Sequence, residues 1–428
     1  MQLGPAGGVR GRLGTAACLL LASGVAPARA AAPTPTPTQS PTPPKWQFEG
    51  SGLLYTEKKR ASVIEPTGRI TRFLSDGQIL SATLGIDAIT GASPTGAIPT
   101  TAIQTYTTPS GNVQTIPVGT VPTNKFKDAR LSLDLGWEKP WGGWLTTTLG
   151  THVSREKDYQ SLGASGKLSL SFMHKLSTLT VGGGYNRDGV FPTGGTRAPL
   201  SDGTVIVGTG TNRKTVSTVL VGASRVLTRR WMIGVNATRT TERGYLTEPY
   251  KVISVVDSLA GDPTGDLLTE NRPASRDRRD VLLSSVYHLD TGVLYASDRY
   301  YWDDWGIRSN TLDLRYRHEL EEHRWIEPHA RYYIQTRANF FRYFLLDGEP
   351  LPDYVSADSR LGPLQSLTLG GTFGFQVKDR PGEWAIRAEF LVQWGKAHPA
   401  EAFGNQVMTN MSPPVGVGSV VVLYTLKF

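Results

Sequence analysis

The side chains able to do chemistry in this chain are mostly charged, and they recur at every second position. Asp313, Arg315, Arg317 and Glu319 form one such series; Glu327, His329, Arg331, Gln335 and Arg337 form a second, and Arg387 and Glu389 a third. A separate group of carboxylates (Asp87, Asp128, Glu156, Asp158, Asp188, Asp298, Asp303 and Asp304, with Tyr159 beside them) falls where strands are expected to end. Carboxylates from successive hairpins on one rim could hold a hard cation such as calcium through oxygen ligands, with Asp87, Asp128, Glu156, Asp158 and Asp188 as the candidate ligands. Solvated rim charge is the competing reading. Catalysis has little to build on. No GxSxG, HExxH, CxxCH or paired-cysteine motif occurs. His152 and Ser154 share a strand face, but period-two neighbours are common. The run GGGYN at 182–186 lies on a strand and not at a strand-to-helix turn, so it is no phosphate loop. The expectation is a protein with no catalytic residues and no cofactor.

The spacing of these groups defines the elements that must carry them. Leu131, Leu133, Leu135 and Trp137 alternate with Ser132, Asp134, Gly136 and Glu138. The same holds for Leu312, Leu314 and Tyr316, for Phe373, Phe375 and Val377, and for Ile386, Ala388, Phe390 and Val392. Successive strand residues point to opposite faces, so each strand has an apolar and a polar side. A charged side chain facing lipid at mid-membrane costs about 2–4 kcal/mol. If the apolar faces meet lipid, Asp313, Arg315, Arg317, Glu319, Glu327, His329, Arg331, Arg337, Arg387 and Glu389 line an interior. They then form either a solvated, salt-bridged wall or an element that selects a solute, and both signs of charge are present.

Loop lengths and aromatic placement favour a membrane-spanning barrel. Short connectors at 139–144, 175–178, 227–231, 290–292, 321–324 and 379–383 alternate with long polar stretches at 88–125, 189–212, 244–278, 341–364 and 397–414. Trp137, Trp141, Trp144, Trp231, Trp325 and Trp384 flank the short connectors, Trp46 begins the first strand, and Trp302, Trp305 and Trp394 sit at the opposite strand ends. An indole settles at the headgroup level, so Trp137, Trp144, Trp231, Trp325, Trp384 and Trp394 are expected to form interfacial girdles. The chain ends on alternating Val420, Val422, Tyr424, Leu426 and Phe428, a pattern like the signal that barrel assembly machinery reads. Counting gives an all-β transmembrane antiparallel barrel of about sixteen strands, with fourteen to eighteen in range. Its weakest expected strand is at 66–74. The stretch 88–125 is nearly uncharged and fits an inward constriction, a cap over the mouth or a partner-binding loop equally well.

Composition agrees. The chain has 428 residues, 39% hydrophobic, with 47 Gly, 28 Pro and one Cys. No run reaches the roughly 18 apolar residues of a membrane helix. Arg10 and Arg12, the apolar stretch 13–26 and Ala28-Arg29-Ala30 read as a signal peptide, residues 1–30, whose removal takes Cys18 with it. Residues 31–45 form a Pro/Thr-rich spacer, extended at about 3.1 Å per residue, and 46–428 form the barrel. Removing the leader lowers the formal net charge from +8 to about +5. Without Lys/Arg runs this is no nucleic-acid signature.

Residues 84–96 (LGIDAITGASPTG), 126–135 (FKDARLSLDL), 154–163 (SREKDYQSLG) and 185–192 (YNRDGVFP) resemble a family of outer-membrane β-barrel proteins catalogued only as a domain of unknown function. The matching positions are Asp87, Thr90, Gly91, Ala92, Ser93, Pro94 and Gly96; Asp128 and Arg130; and Ser154, Glu156, Asp158 and Tyr159. The resemblance implies an integral protein of the cell outer membrane without implying an activity, and its neighbours hint at envelope redox or metal handling. The functional expectation is a pore or transport component. The alternative is a non-conducting surface barrel that binds a lipoprotein through its long loops. Expected partners are outer-membrane lipid and lipopolysaccharide, the barrel assembly machinery and a small lipoprotein.

Overall fold

The computed structural model describes residues 45–58, 60–99, 104–107, 113–321, 323–377 and 381–428. The expected leader and all but the last residue of the spacer lie outside the described residues. The rest folds as sixteen long strands: β1 (Trp46–Glu57), β2 (Ala61–Phe73), β3 (Ile79–Pro94), β4 (Thr123–Trp141), β5 (Leu145–Arg155), β6 (Tyr159–Phe172), β7 (Ser177–Val190), β8 (Asn212–Thr228), β9 (Trp231–Gly244), β10 (Ser275–Leu289), β11 (Gly292–Asp303), β12 (Arg308–Glu321), β13 (Arg324–Gln335), β14 (Leu364–Gln376), β15 (Glu383–Gly395) and β16 (Val415–Lys427). Each pairs antiparallel with its neighbours in sequence, and β16 pairs with β1 to close the ring. The seam runs from Gln47 opposite Lys427 to Glu57 opposite Val417, and the Trp46 and Phe428 backbones exchange two further bonds of 2.8 and 3.0 Å.

Burial along the strands is inverted relative to a soluble sandwich. On β6, Tyr159 and Ser161 are buried, whereas Leu162 between Ser161 and Gly163 is 61% exposed. Leu131, Leu133 and Leu135 on β4 are exposed in the same way, as are Val219 and Val221 on β8 and Phe390 on β15. An apolar exterior and a polar interior are what a hydrocarbon surround requires.

The strand limits differ from the sequence reading most tellingly at β2 and β3; β10 also starts early, at Ser275, and β13 stops at Gln335. β2 begins at Ala61, five residues earlier than expected, and contains Pro66. That proline has no N–H to give, and the β2–β3 register passes from Ile64 opposite Ala88 to Thr67 opposite Gly85 without pairing Glu65 or Pro66. The strand survives because its other edge pairs with β1, with Pro66 opposite Gly52. Residues 88–94 belong to β3 and are not loop, so the wall is taller there.

Connections at one end are short. At the other, the loops 245–274 and 336–363 fold into a layer of their own. Residues Val252–Val256 pair antiparallel with Pro263–Thr269 and parallel with Leu345–Leu346. Ile253, Val255, Leu345, Val355 and Ala357 form one small core; Leu246, Trp305, Ile307, Ala338, Phe341 and Leu361 form another. From its root between β9 and β10, loop 245–274 reaches the ends of both β3 and the β15–β16 loop, each six strands away round the ring. The Lys251 ammonium donates to Ser93 Oγ at 3.2 Å and to the Pro94 carbonyl, Val252 N–H donates to the Thr95 carbonyl at 2.9 Å, and on the far side Asn405 N–H donates to the Ala260 carbonyl at 2.9 Å. Only a chord across the mouth touches both. Gly96 makes the first contact possible: its φ is +101°, and a Cβ there would sit 2.4 Å from the Val252 carbonyl oxygen.

The orientation of the faces is testable. Leu133→Arg places a charge on the apolar side of β4 and is expected to lower folding stability in phospholipid vesicles by about 2–4 kcal/mol if it lies near the midplane. Urea titration followed by heat-modifiable gel migration reads this. An unchanged midpoint would put the apolar face somewhere other than lipid.

Candidate functional site

The interior has two unlike walls. From β3 to β9 small and hydroxylated side chains such as Ser81, Thr83, Ser132, Ser165, Thr180, Thr218 and Thr240 alternate with the pairs Asp87–Arg130, Asp134–His152 and Asp188–Lys214, and a cavity of about 310 Å³ near the short-turn end is lined in part by Glu49, Arg69, Asp134, Thr148 and Lys167. From β10 to β15 it is dense in charge. Cross-strand register puts Asp313, Arg315 and Arg317 of β12 on one face with Glu327, His329 and Arg331 of β13, and Arg387 and Glu389 of β15 on the same side.

His329 organises this wall. Its Nε2 lies 2.9 Å from Asp313 Oδ2 and its Nδ1 lies 2.8 Å from Glu389 Oε1. Arg331 binds the same Asp313 oxygen through Nε at 2.7 Å and Nη2 at 2.6 Å. Glu389 must pass over β14 to reach the ring, and Gly370 is what it passes: a Cβ there would lie 2.7 Å from Glu389 Cγ. Arg387 donates to Thr372 Oγ1 at 3.1 Å. Arg317 and Glu319 pair at 2.9 Å, with Glu319 more exposed than its partner. Arg337 departs from expectation. It lies beyond the end of β13, in loop 336–363, and pairs with Glu401 of the β15–β16 loop, so it ties two loops together and lines no strand.

Of the five candidate metal ligands on the rim, the structure separates Asp87 and Asp188 from the other three. Asp87 is buried against Arg130, directly opposite it on β4. Asp188 accepts Tyr159 Oη at 2.5 Å and Ser161 Oγ at 2.7 Å, with the Lys214 ammonium 3.3 Å away. Asp298 and Asp303 are likewise engaged, by Asn310 and Arg276. Asp128, Glu156 and Asp158 do converge, each offering an oxygen within 4.8 Å of the others. That oxygen set suits a hard cation in chemistry. Asp158 also accepts the Tyr250 hydroxyl at 3.0 Å, and burial, followed by the Asp158 charge, pushes that phenol up to about 12.

Of the girdle tryptophans, Trp137, Trp231, Trp384 and Trp394 lie on the outward face, and Trp144 is 59% exposed in the turn 142–144. Trp325 does not. It faces the same side as Glu327 and His329, opposite Gly374, with Arg317 stacked 4.0 Å above its ring and its indole N–H on Glu383 at 2.9 Å. Trp305 is 3% exposed at the centre of a loop core. In the last strand Tyr424 faces outward and stacks on Trp384 at 4.6 Å, Leu426 shares its face, and Phe428 is 61% exposed at the seam.

The sequence reading missed the latch of the mouth. Arg272, with its side chain fully buried, donates through Nη2 to Glu270 Oε2 and to Asp358 Oδ2, both at 2.9 Å, and its Nε lies 2.5 Å from Glu270 Oε1. Arg360 holds both Asp358 oxygens, at 2.9 and 3.0 Å through Nε. Ser356 donates to Glu270, and Glu248 N–H donates to the same carboxylate at 2.7 Å. Burial acts to raise the Asp358 carboxyl, but the charges of Arg360, Lys251 and Arg272 outweigh it and hold the group well below the usual carboxylate range. The signal for this core was the run VISVV at 252–256, apolar at four of five positions inside a stretch otherwise read as polar loop.

A closed sixteen-stranded ring, apolar outside, charged inside and bridged at one mouth by its own loops, defines a transmembrane-type β-barrel with a folded lid. The chain belongs to the family described as Protein of unknown function (DUF3570), whose model matches residues 10–416. This agrees with the resemblance carried by the motifs between 84 and 192. No curated protein matches it. Among solved structures it is similar to the toluene transporter TodX of Pseudomonas putida, at 11% identity, TM-score 0.37 and 90% of each chain. It is similar also to a mutant of the ferric enterobactin receptor PfeA of Pseudomonas aeruginosa, at 10% identity and TM-score 0.42, over 89% of this chain and 60% of that one. A third likeness is to the siderophore receptor PirA of Acinetobacter baumannii, at 10% identity and TM-score 0.40, over 83% and 54% of the two chains.

Two outcomes test the latch. Arg272→Met leaves Glu270 and Asp358 buried without their shared partner and is expected to cost the lid about 3–5 kcal/mol while the ring persists. Limited proteolysis within 245–274, alongside an unshifted heat-modifiable band, reads both. The pH dependence follows from Asp358. Its folded value is depressed, so the stabilisation is complete above the ordinary carboxylate pKa of about 3.9 and is lost as pH falls below it. Amide protection from exchange across 248–272, corrected for intrinsic rate, should weaken as pH falls below about 4 through Asp358, with Glu270 acting in the opposite sense above that because burial raises its carboxyl. Protection that stays constant down to pH about 2.5 would remove Asp358 from the latch.

Proposed function

We propose that the protein is an outer-membrane channel for small polar solutes, held shut at its external mouth by the loop 245–274. The observation that carries this reading is the chord: a polar lumen lies beneath a lid that spans the mouth and is tied down by buried ion pairs. Outer-membrane location is supported by the apolar exterior, the outward tryptophans and the terminal aromatic. Both signs of charge line the wall, which fits solutes carrying both signs or neither better than a strongly anion- or cation-selective pore. No catalytic step enters this reading.

Exposed apolar loop residues favour a second reading. Leu259 is 87% and Met408 82% exposed, on loops that touch each other through Gly261 and Phe403. Such tips fit a surface barrel that docks a lipoprotein or another partner.

Planar-bilayer conductance decides between them. The native chain is expected to show rare openings. Arg272→Met/Asp358→Leu, which unties the lid, is expected to raise open probability by at least about ten-fold, the effect of weakening a two-state gate by 1.4 kcal/mol or more. No current from either chain, with both correctly folded, sinks the channel. Recovery of a stoichiometric second protein from membranes would then stand for the docking reading.

A further inference from the structure

The outward face above the apolar band carries a cationic patch that the lumen and lid do not use. Arg187 on β7 and Arg243 on β9 both lie directly opposite Thr215 of β8, on either side of it. Arg213 lies two residues above Thr215 on the same face. All three arginines are exposed, and among the described residues no carboxylate pairs with them. They surround one hydroxyl as close and diagonal neighbours, with diagonal Cβ atoms about 7–8 Å apart, a spacing at which like charges repel. The row beneath is hydroxylated: Ser217 lies opposite Tyr185 on one side and Thr241 on the other. Beneath that the surface becomes apolar on β7 and β8, with Val219 56% and Val221 48% exposed, while β9 places Arg239 directly opposite Val219. One step round the ring, Arg239 and Arg279 lie directly opposite each other and share a single carboxylate, Asp277, at 2.7 and 3.0 Å. Arg279 in turn faces Trp302, an outward indole at this height.

We propose that Arg187, Arg213 and Arg243, with Thr215 at their centre, bind the phosphate of a phosphorylated glycolipid in the outer leaflet. Along β7 and β8 the order of rows is the order of such a lipid's parts: guanidinium for phosphate, hydroxyls for sugar, aliphatic side chains for acyl chains. Guanidinium forks match phosphate oxygens two at a time. The anion also removes the repulsion that the three arginines otherwise impose on β7, β8 and β9. This inference rests on the membrane-spanning reading of the barrel.

The test uses the full chain folded into phosphatidylcholine vesicles, titrated with purified diphosphoryl lipid A and analysed by native mass spectrometry. The triple substitution Arg187→Gln/Arg213→Gln/Arg243→Gln is expected to weaken binding by at least about ten-fold, since each basic residue near an anionic surface is worth about five-fold. Arg213→Gln alone should give a smaller loss in the same direction. Monophosphoryl lipid A should bind the native chain more weakly. Phosphatidylglycerol binding as tightly as lipid A would overturn the glycolipid assignment. A triple variant that inserts and binds like the native chain overturns the patch alone, whereas a native chain that fails to insert into vesicles overturns the barrel reading and the patch together.

Discussion

A strand that crosses hydrocarbon must pair every backbone N–H and carbonyl, because no water is present to take their place. For sixteen strands this leaves no free edge and forces the sheet into a ring. The contact between β1 and β16 therefore governs the others. It joins the first described strand to the last residues of the chain, closing with the Trp46 and Phe428 backbones. Once the ring exists, period-two alternation assigns every side chain to one of two surroundings, and the inverted burial follows. The price appears at Pro66, where the ladder to β3 skips two residues and only the neighbour on the other side keeps the strand in place.

The interior then faces a different problem, that of charge in a confined space. Arginine and carboxylate side chains on the β10–β15 wall satisfy one another across strands, and the glycine at 370 lets Glu389 pass over a strand to reach His329. At the mouth the same chemistry is used without a strand ladder. Arg272, Glu270, Asp358 and Arg360 are buried between two loops, where removal of either sign leaves the other stranded. Their geometry is specific in a way that an apolar seam between the same loops would not be.

Much of this was legible in the sequence because alternation is a local property. Leu131 to Trp137 reveal their faces without any knowledge of neighbours, and the number and order of strands follow from the connectors. The lumenal positions of Asp313, His329 and Glu389 were legible for the same reason. Contacts between loops were not. Arg272 and Asp358 are 86 residues apart, and nothing in either local pattern names the other. Arg337 was misplaced because its two-residue spacing continues past the point where β13 stops pairing. Trp325 was misplaced because an indole at a strand end suits lipid or lumen equally. Its direction is set by Gly374 opposite, which clears room for it, and by Arg317 above. The arginines round Thr215 escaped notice because they become neighbours only when β7, β8 and β9 take their register.

Loop 245–274 has a mechanical consequence as well. A ring of sixteen strands is a closed wall one sheet thick, with no second layer behind it to hold its outline. A segment rooted between β9 and β10 and fastened near β3 on one side and near the β15–β16 loop on the other acts as a spoke. It fixes two chords of the mouth at once. The cross-section of the lumen is set at that end by a tie-rod of polypeptide as well as by the wall.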